Sequence, residues 1–148
     1  MTYLSPIGPL ELSFDGPVLT ALRLDGGSPG RDCRPLPAEV LRWLDLYFSG
    51  CNPGFLPPLA PQGTAFAQRV WQELLRIPYG TTVTYGELAR RVGCRSAQAV
   101  GQAVGRNPIA IIIPCHRVVA AHSLGGYAYG TDVKRRLIES EHPRRQTR

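Results

Sequence analysis

The segment Ile109-Ala110-Ile111-Ile112-Ile113 is wholly apolar, four of its five residues are β-branched, and Pro114 ends it. A membrane span takes about 20 such residues, so this run must instead be enclosed by other chain, as a buried strand or the wall of a core. Cys115, His116 and Arg117 follow at once. Three chemically capable side chains are thus mounted on a rigid support.

A cysteine attacks as its thiolate, and a thiol with a free pKa of about 8.5 needs a base and a cationic or polar setting to reach that form at neutral pH. His116 and Arg117 supply both kinds of group. Side chains of adjacent residues seldom face each other, so a proton passing from Cys115 to His116 is expected to travel through a water. Taken alone, the residues fit a plainer reading more often: a small buried hydrophobe followed by a satisfied core histidine.

The 148 residues suit one compact domain or two small ones. Cys33, Cys51, Cys94 and Cys115 form no CxxC pair and no secreted-type framework, so free thiols are expected, without zinc or disulfides. No signal segment or long apolar stretch is present, and a reducing cytoplasm is the expected location. Charge divides the chain. Residues 1–62 carry four arginines against six acids, net −2, whereas residues 63–148 carry thirteen cations against five acids, net +8. The basic part suits a polyanionic partner, although a merely soluble basic surface has the same composition.

An α+β N-terminal lobe is expected over residues 1–50. Tyr3 to Phe14 alternates apolar and polar residues, Asp15-Gly16-Pro17 is a turn, and Leu19 to Leu24 completes two or three antiparallel strands. Gly26 to Pro37 reads as a loop, and Ala38 to Phe48 has helical periodicity that stops at Ser49-Gly50. Residues 51–63, rich in proline, read as a semi-rigid linker.

A mostly helical, winged-helix-like lobe is expected over residues 64–148. Thr64 is placed to cap a helix from Phe66 to Arg76, with Trp71 in its apolar stripe. A helix beginning near Tyr85, a turn at Gly93 and a second helix capped by Ser96 have the spacing of a helix-turn-helix. Ala97, Ala99, Gly101, Ala103 and Gly105 keep that second helix slender, suited to close approach to a sugar-phosphate backbone or a narrow groove, or to tight helix packing. Leu124 to Gly130 is a glycine-rich loop with two tyrosines, and Asp132 to Glu141 a final helix.

The series Gly63-Thr64, Val70-Trp71, Ile77-Pro78-Tyr79-Gly80, Thr84-Tyr85-Gly86-Glu87-Leu88-Ala89, Asn107-Pro108, Pro114-Cys115-His116-Arg117-Val118 and Gly126-Tyr127 resembles the O6-alkylguanine-DNA alkyltransferase family, in order and with near-family spacing. The resemblance implies a monomer that binds double-stranded DNA in the minor groove, flips an O6-alkylguanine out of the stack and takes its alkyl group onto Cys115. It implies His116 as a water-mediated base, Glu141 orienting it, and Asn107 bracing the turn beneath the site. Tyr85 would help swivel the nucleotide, Tyr127 would stack on the base, and Lys134 would place a charge by the pocket. Arg117, Ala99 and Gly101 fall among the expected DNA or substrate contacts. No cofactor is implied, because the nucleophile is part of the chain and guanine is the leaving group. The zinc site of human-type members would need ligands in the first lobe, and residues 1–62 contain no histidine.

Three positions depart from the family pattern. Gln98 stands where an arginine usually fills the gap left by the flipped base, and it lacks that side chain's charge and planar fork. The loop from Cys115 to Tyr127 is one residue short, with Ala120-Ala121-His122-Ser123 where a glycine-containing turn is usual, and Ala128 replaces a small hydroxyl. Two further readings stay open on this basis: a lesion-sensing relative that binds O6-alkylguanine DNA and recruits a repair-pathway protein without transfer, and a helix-turn-helix transcriptional regulator with an inert thiol.

Overall fold

The computed structural model describes residues 1–24 and 34–142 and has the α+β composition expected. Part of the loop expected over Gly26 to Pro37 and the last six residues lie outside the described residues, as does Cys33. The chain divides into two compact units. One comprises Met1–Gln62 with Pro108–Ile112, the other Gly63–Asn107 with Ile113–Arg148.

The first unit is built on an antiparallel sheet of three strands, β1 (Thr2–Ser5), β2 (Gly8–Asp15) and β3 (Val18–Leu24), in sequential order. Period-2 alternation puts Leu10 and Leu12 in the core, and Leu19 and Leu22, three residues apart, both reach it because the pairing of β2 with β3 shifts register between them. Helix α1 (Ala38–Phe48) buries Val40, Trp43, Leu44 and Tyr47, the one-face spacing of an amphipathic helix. The Tyr3 hydroxyl donates to Asp45 Oδ1 at 2.7 Å and joins β1 to α1.

Two stretches depart from expectation for the same reason: β3 has backbone groups left over after pairing with β2. Leu19 N donates to Pro58 O at 3.0 Å and Ala60 N to Leu19 O at 2.9 Å, so the proline-rich stretch read as a linker is tied to the sheet. Likewise Leu22 N donates to Pro108 O at 2.9 Å and Ala110 N to Leu22 O at 3.0 Å. The apolar run therefore touches the sheet through a single bridge, Leu22 to Ile109, and forms a core wall rather than a strand. Ile111 sits at φ 71°, a region unfavourable to a β-branched residue, and Ile112 N closes over it onto Ala110 O at 2.8 Å.

The second unit begins with α2 (Ala65–Leu74), whose first turn is capped by Thr64 Oγ1 accepting from Ala67 N at 3.1 Å. The helix ends earlier than expected. Arg76 N reaches Glu73 O at 3.1 Å and Ile77 N reaches Leu74 O at 3.0 Å, tightening the last turn ahead of Pro78. Trp71 is core, its Nε1 donating to Ala103 O at 2.9 Å.

After β4 (Val83–Thr84) come α3 (Tyr85–Arg91) and α4 (Ala97–Gly105), the two helices of the expected helix-turn-helix. Thr84 Oγ1 accepts from Glu87 N at 3.1 Å and Ser96 Oγ from Ala99 N at 3.0 Å, so a hydroxyl caps each start. Between them Gly93, at φ 71°, lets Cys94 N return to Ala89 O at 2.9 Å and Gly93 N to Arg90 O at 3.2 Å, a Schellman closure. Val100, Ala103 and Val104 are the buried stripe of α4. Strand β5 (Val118–Val119) runs parallel to β4, and α5 (Thr131–Ser140) is the last helix.

Candidate active site

The thiol is set by two consecutive tight turns. Pro114, at φ −81° and ψ 65°, has inverse γ-turn geometry, and Cys115 N donates to Ile113 O at 2.7 Å. Asn107 Nδ2 donates to the same carbonyl at 2.8 Å, which locks the turn from the far side of the loop. Cys115–Arg117 then forms a single 3₁₀ turn before β5. At about three residues per turn its side chains leave the axis roughly 120° apart. Cys115, His116 and Arg117, all buried, therefore face three different surroundings.

His116 and Arg117 both converge on Glu141, which follows the last residue of α5. A carboxylate at a helix C-terminus is opposed by the helix dipole, and here cations and donors outweigh that. His116 Nε2 lies 2.6 Å from Glu141 Oε2, Arg117 Nε donates to Oε1 at 2.8 Å, Arg117 Nη2 to Oε2 at 3.2 Å, and Gly80 N to Oε1 at 3.1 Å. Burial, the largest single influence, pushes the Glu141 carboxyl up, but hydrogen bonds and charges from His116 and Arg117 together bring it down to about 2. Glu141 is thus an ionised acceptor at neutral pH. Burial, with help from Arg117 and Lys134, lowers the imidazole despite Glu141, so His116 is neutral. An ionised partner can only accept, which places the imidazole proton on Nε2 and makes Nδ1 the ring nitrogen with the lone pair.

Arg117 corrects the sequence expectation. It is 8% exposed, donates through Nη1 to Ile77 O at 2.8 Å and lies over the Tyr79 ring at 5.7 Å. A side chain committed to Glu141, Ile77 and Tyr79 is not presented to DNA.

Burial also raises the Cys115 thiol. The Asn107 side chain, a backbone hydrogen bond, the Lys134 charge and the Tyr127 hydroxyl each pull it down without overcoming that. The resting sulfur is a thiol that needs its proton removed to react. It opens onto a pocket of about 370 Å³ whose walls include Tyr85, Gly101, Asn107, Tyr127, Ala128 and Tyr129, a size within the range that holds a small planar ligand. Lys134 is 0% exposed, its Nζ donating to Gly126 O at 2.9 Å and lying 5.8 Å from the Tyr85 ring centroid. Loss of hydration pushes its pKa down to about 8. The shortened loop after β5 closes through a bridge between Ala120 and Ser123. Gly125 follows at φ 74°, where a Cβ would stand 3.0 Å from Tyr85 Cε2.

The structure thus gathers Tyr85, Gly101, Asn107, Cys115 and Tyr127 round one pocket, with His116 and Glu141 in the adjoining buried network. Gln98 is elsewhere, lining an open groove on α4 that shares Tyr85, Gly101 and Gly126 with the pocket. Ala99 is half-buried on α4. Tyr129 and Val104 line the pocket without being expected there, and so does Gly105, which the sequence marks only as a small residue of the slender helix. The alternation Tyr127-Ala128-Tyr129 holds the signal for Tyr129, since both rings meet edge to face at 5.6 Å. Tyr79 enters the sequence reading only within the Ile77-Pro78-Tyr79-Gly80 stretch of the family resemblance.

The second unit thus combines a helix-turn-helix, a fold used to bind DNA, with a buried, histidine-flanked thiol whose pocket is walled by the second helix. The model of the 6-O-methylguanine DNA methyltransferase DNA-binding domain matches residues 65–143. The methylated-DNA–protein-cysteine methyltransferase of Mycobacterium leprae is 49% identical over 93% of this chain and 88% of its own length. Mycobacterium tuberculosis O6-methylguanine methyltransferase, as a crystal structure, covers 97% of this chain and 92% of its own, with 47% identity and a TM-score of 0.85. The M. tuberculosis OGT in complex with DNA covers the same shares at 47% identity with a TM-score of 0.86. The chain belongs to the methylated-DNA–protein-cysteine methyltransferase family.

Proposed function

We propose that this chain repairs guanine alkylated at O6 in duplex DNA by moving the alkyl group to Cys115 in a single turnover. The observation carrying this reading is that the thiol and α4 line one pocket, so a nucleotide turned out of a duplex lying on α4 arrives at the sulfur. The slender α4 favours the minor groove, with Ala99 and Gly101 allowing close approach. Gln98 fills the gap left by the base, Tyr85 turns the nucleotide and Tyr127 stacks on it. Extrusion costs a few kcal/mol and least for a damaged base. The Cys115 proton passes through a water to His116 Nδ1, with Glu141 fixing the tautomer, Asn107 holding the turn and the Lys134 charge favouring the thiolate. Sγ attacks the alkyl carbon, the bond from that carbon to O6 breaks, and its electron pair leaves with guanine, which takes up a proton. The thioether formed is not exchanged by thiols as a disulfide would be, hence the single turnover. The protein acts as a cytoplasmic monomer.

Intact-protein mass spectrometry with peptide mapping tests this. Incubation with duplex DNA carrying one O6-methylguanine should add a single methyl, on Cys115. Cys115→Ala should bind the duplex and gain none. An unmodified wild-type chain that nevertheless holds the lesion tightly would replace repair with lesion sensing, and equal transfer by the variant would overturn the assignment of Cys115. No observation among the described residues favours the sensing or regulator readings.

A further inference from the structure

Helix α4 carries only two long polar side chains, Gln98 and Gln102. Both are exposed, and both line the open groove bounded by Tyr85, Gly101 and Gly126. Three of those groove residues, Tyr85, Gly101 and Gly126, also wall the Cys115 pocket. The groove is thus the approach to the thiol. Among the described residues neither amide has a hydrogen-bond partner, while the opposite stripe of the helix, Val100, Ala103 and Val104, is buried. Four residues of helix advance about 6 Å, and base pairs stack at about 3.4 Å. An amide one turn from Gln98 is therefore set roughly two base steps along the groove.

Resting on the reading of α4 as a minor-groove helix, we propose that Gln102 is a second DNA-contacting residue. It hydrogen-bonds the minor-groove edge of the flanking base pair two steps from the extruded guanine, and with Gln98 it forms a neutral two-amide clamp. The chemistry suits the place. Every pair shows purine N3 or pyrimidine O2 acceptors in the minor groove, and guanine adds an N2 donor. A carboxamide carries two N–H donors and a carbonyl acceptor, so it meets any flanking pair. The contact steadies the distorted duplex without choosing its sequence, and it adds hold where Gln98 lacks the charge of an arginine.

The test places Gln102→Ala and Gln102→Leu in the Cys115→Ala chain and measures affinity for a duplex with one O6-methylguanine, so that it does not depend on alkyl transfer. Each variant should bind about three- to tenfold more weakly, the range for loss of one neutral hydrogen bond. The loss should be the same with A·T or G·C at the flanking pair. In chains keeping Cys115, the reaction with free O6-methylguanine base and the thermal midpoint should match the parent, because Gln102 is exposed and both replacements are good helix formers. Affinity for duplex within twofold of the parent overturns the proposal. So does an equal loss with the free base or a lowered midpoint, which would make the role structural. A parent that binds duplex but transfers no methyl refutes the repair reading and leaves the affinity comparison to decide Gln102. A parent that binds no duplex overturns both.

Discussion

The charge of Glu141 is set against burial by the two side chains it accepts from, His116 and Arg117. Its carboxyl falls from an ordinary 4.5 to about 2, and each unit is worth about 1.4 kcal/mol. A carboxyl whose folded value is depressed stabilises the fold above its unfolded value and loses that contribution as pH falls through the folded one. Roughly 3 kcal/mol should therefore drain away between pH 4.5 and about 2. His116, lowered from 6.5, acts with the same sign, since the unfolded chain takes up its proton first. Glu141→Gln keeps the shape but leaves the Arg117 guanidinium without its counter-charge, a change costing about 3–5 kcal/mol at neutral pH. Urea unfolding from pH 7 to 2 should show the two stabilities converging in acid, and parallel curves would refute this account. Lys134 acts on the sulfur itself. Lys134→Met removes a charge that favours the thiolate and that is present below about pH 8, so alkylation of Cys115 by iodoacetamide at neutral pH, followed by peptide mapping, should slow, by about tenfold for each unit by which the charge lowers the thiol. Transfer at neutral pH should slow with it. An unchanged alkylation rate would show that the charge does not reach Cys115. At this scale the grouping of Cys115 with His116 was legible because their chemistry is local in sequence, whereas Asn107 came only with the family resemblance. Arg117 was not: its direction follows from the 3₁₀ turn, which points it at Glu141, twenty-four residues away.

At the scale of elements, two glycines are fixed for opposite reasons, and substitution separates them. Gly93 sits at φ 71° with open space where a Cβ would go. Gly93→Ala should lose only the backbone term, about 1–2 kcal/mol, by straining the turn between α3 and α4. Gly63 is limited by space. A Cβ there would stand 2.4 Å from Trp71 Cη2, and the indole cannot yield freely because Nε1 is bonded to Ala103 O at 2.9 Å. Gly63→Ala should cost about 1–3 kcal/mol as overpacking and disturb the seat of α4. Thermal unfolding should show both losses, while near-ultraviolet circular dichroism should change for Gly63→Ala and hold for Gly93→Ala. An unaltered spectrum for Gly63→Ala would mean that the indole moves aside at little cost. The sequence made Gly93 readable through the cap residues around it, with Ser96 beside it and Ala89 four residues earlier. The constraint on Gly63 depends on a ring eight residues away, and no periodicity reports such an approach.

Across the whole molecule, charge and chain path part company. The grouping of Pro108–Ile112 with the first sheet was hidden from sequence because the pairing of Leu22 with Ile109 joins residues that no local pattern connects. The charge division was visible from composition, but composition does not separate surface cations from internal ones. Arg117 and Lys134 are buried and balance carboxylate, carbonyl and thiol, whereas Arg95 and Arg106 are exposed at the two ends of α4. Arg95 immediately precedes the Ser96 cap and Arg106 follows Gly105, so the pair brackets α4, the helix proposed to face DNA, over about 16 Å. If they neutralise phosphates on either side of the groove, each contributes about 0.9 to the slope of log affinity against log salt. Arg95→Ala and Arg106→Ala should each reduce that slope by nearly one and weaken lesion-bearing and undamaged duplex alike, because a phosphate contact carries no sequence or lesion information. Gln98→Ala should leave the slope unchanged and weaken only the lesion complex, since a neutral amide releases no counterion. Salt titrations of duplex affinity on these three variants separate the contributions. A slope indifferent to both arginines would move the phosphate contacts off the ends of α4 and require the duplex to lie along another face of the basic unit.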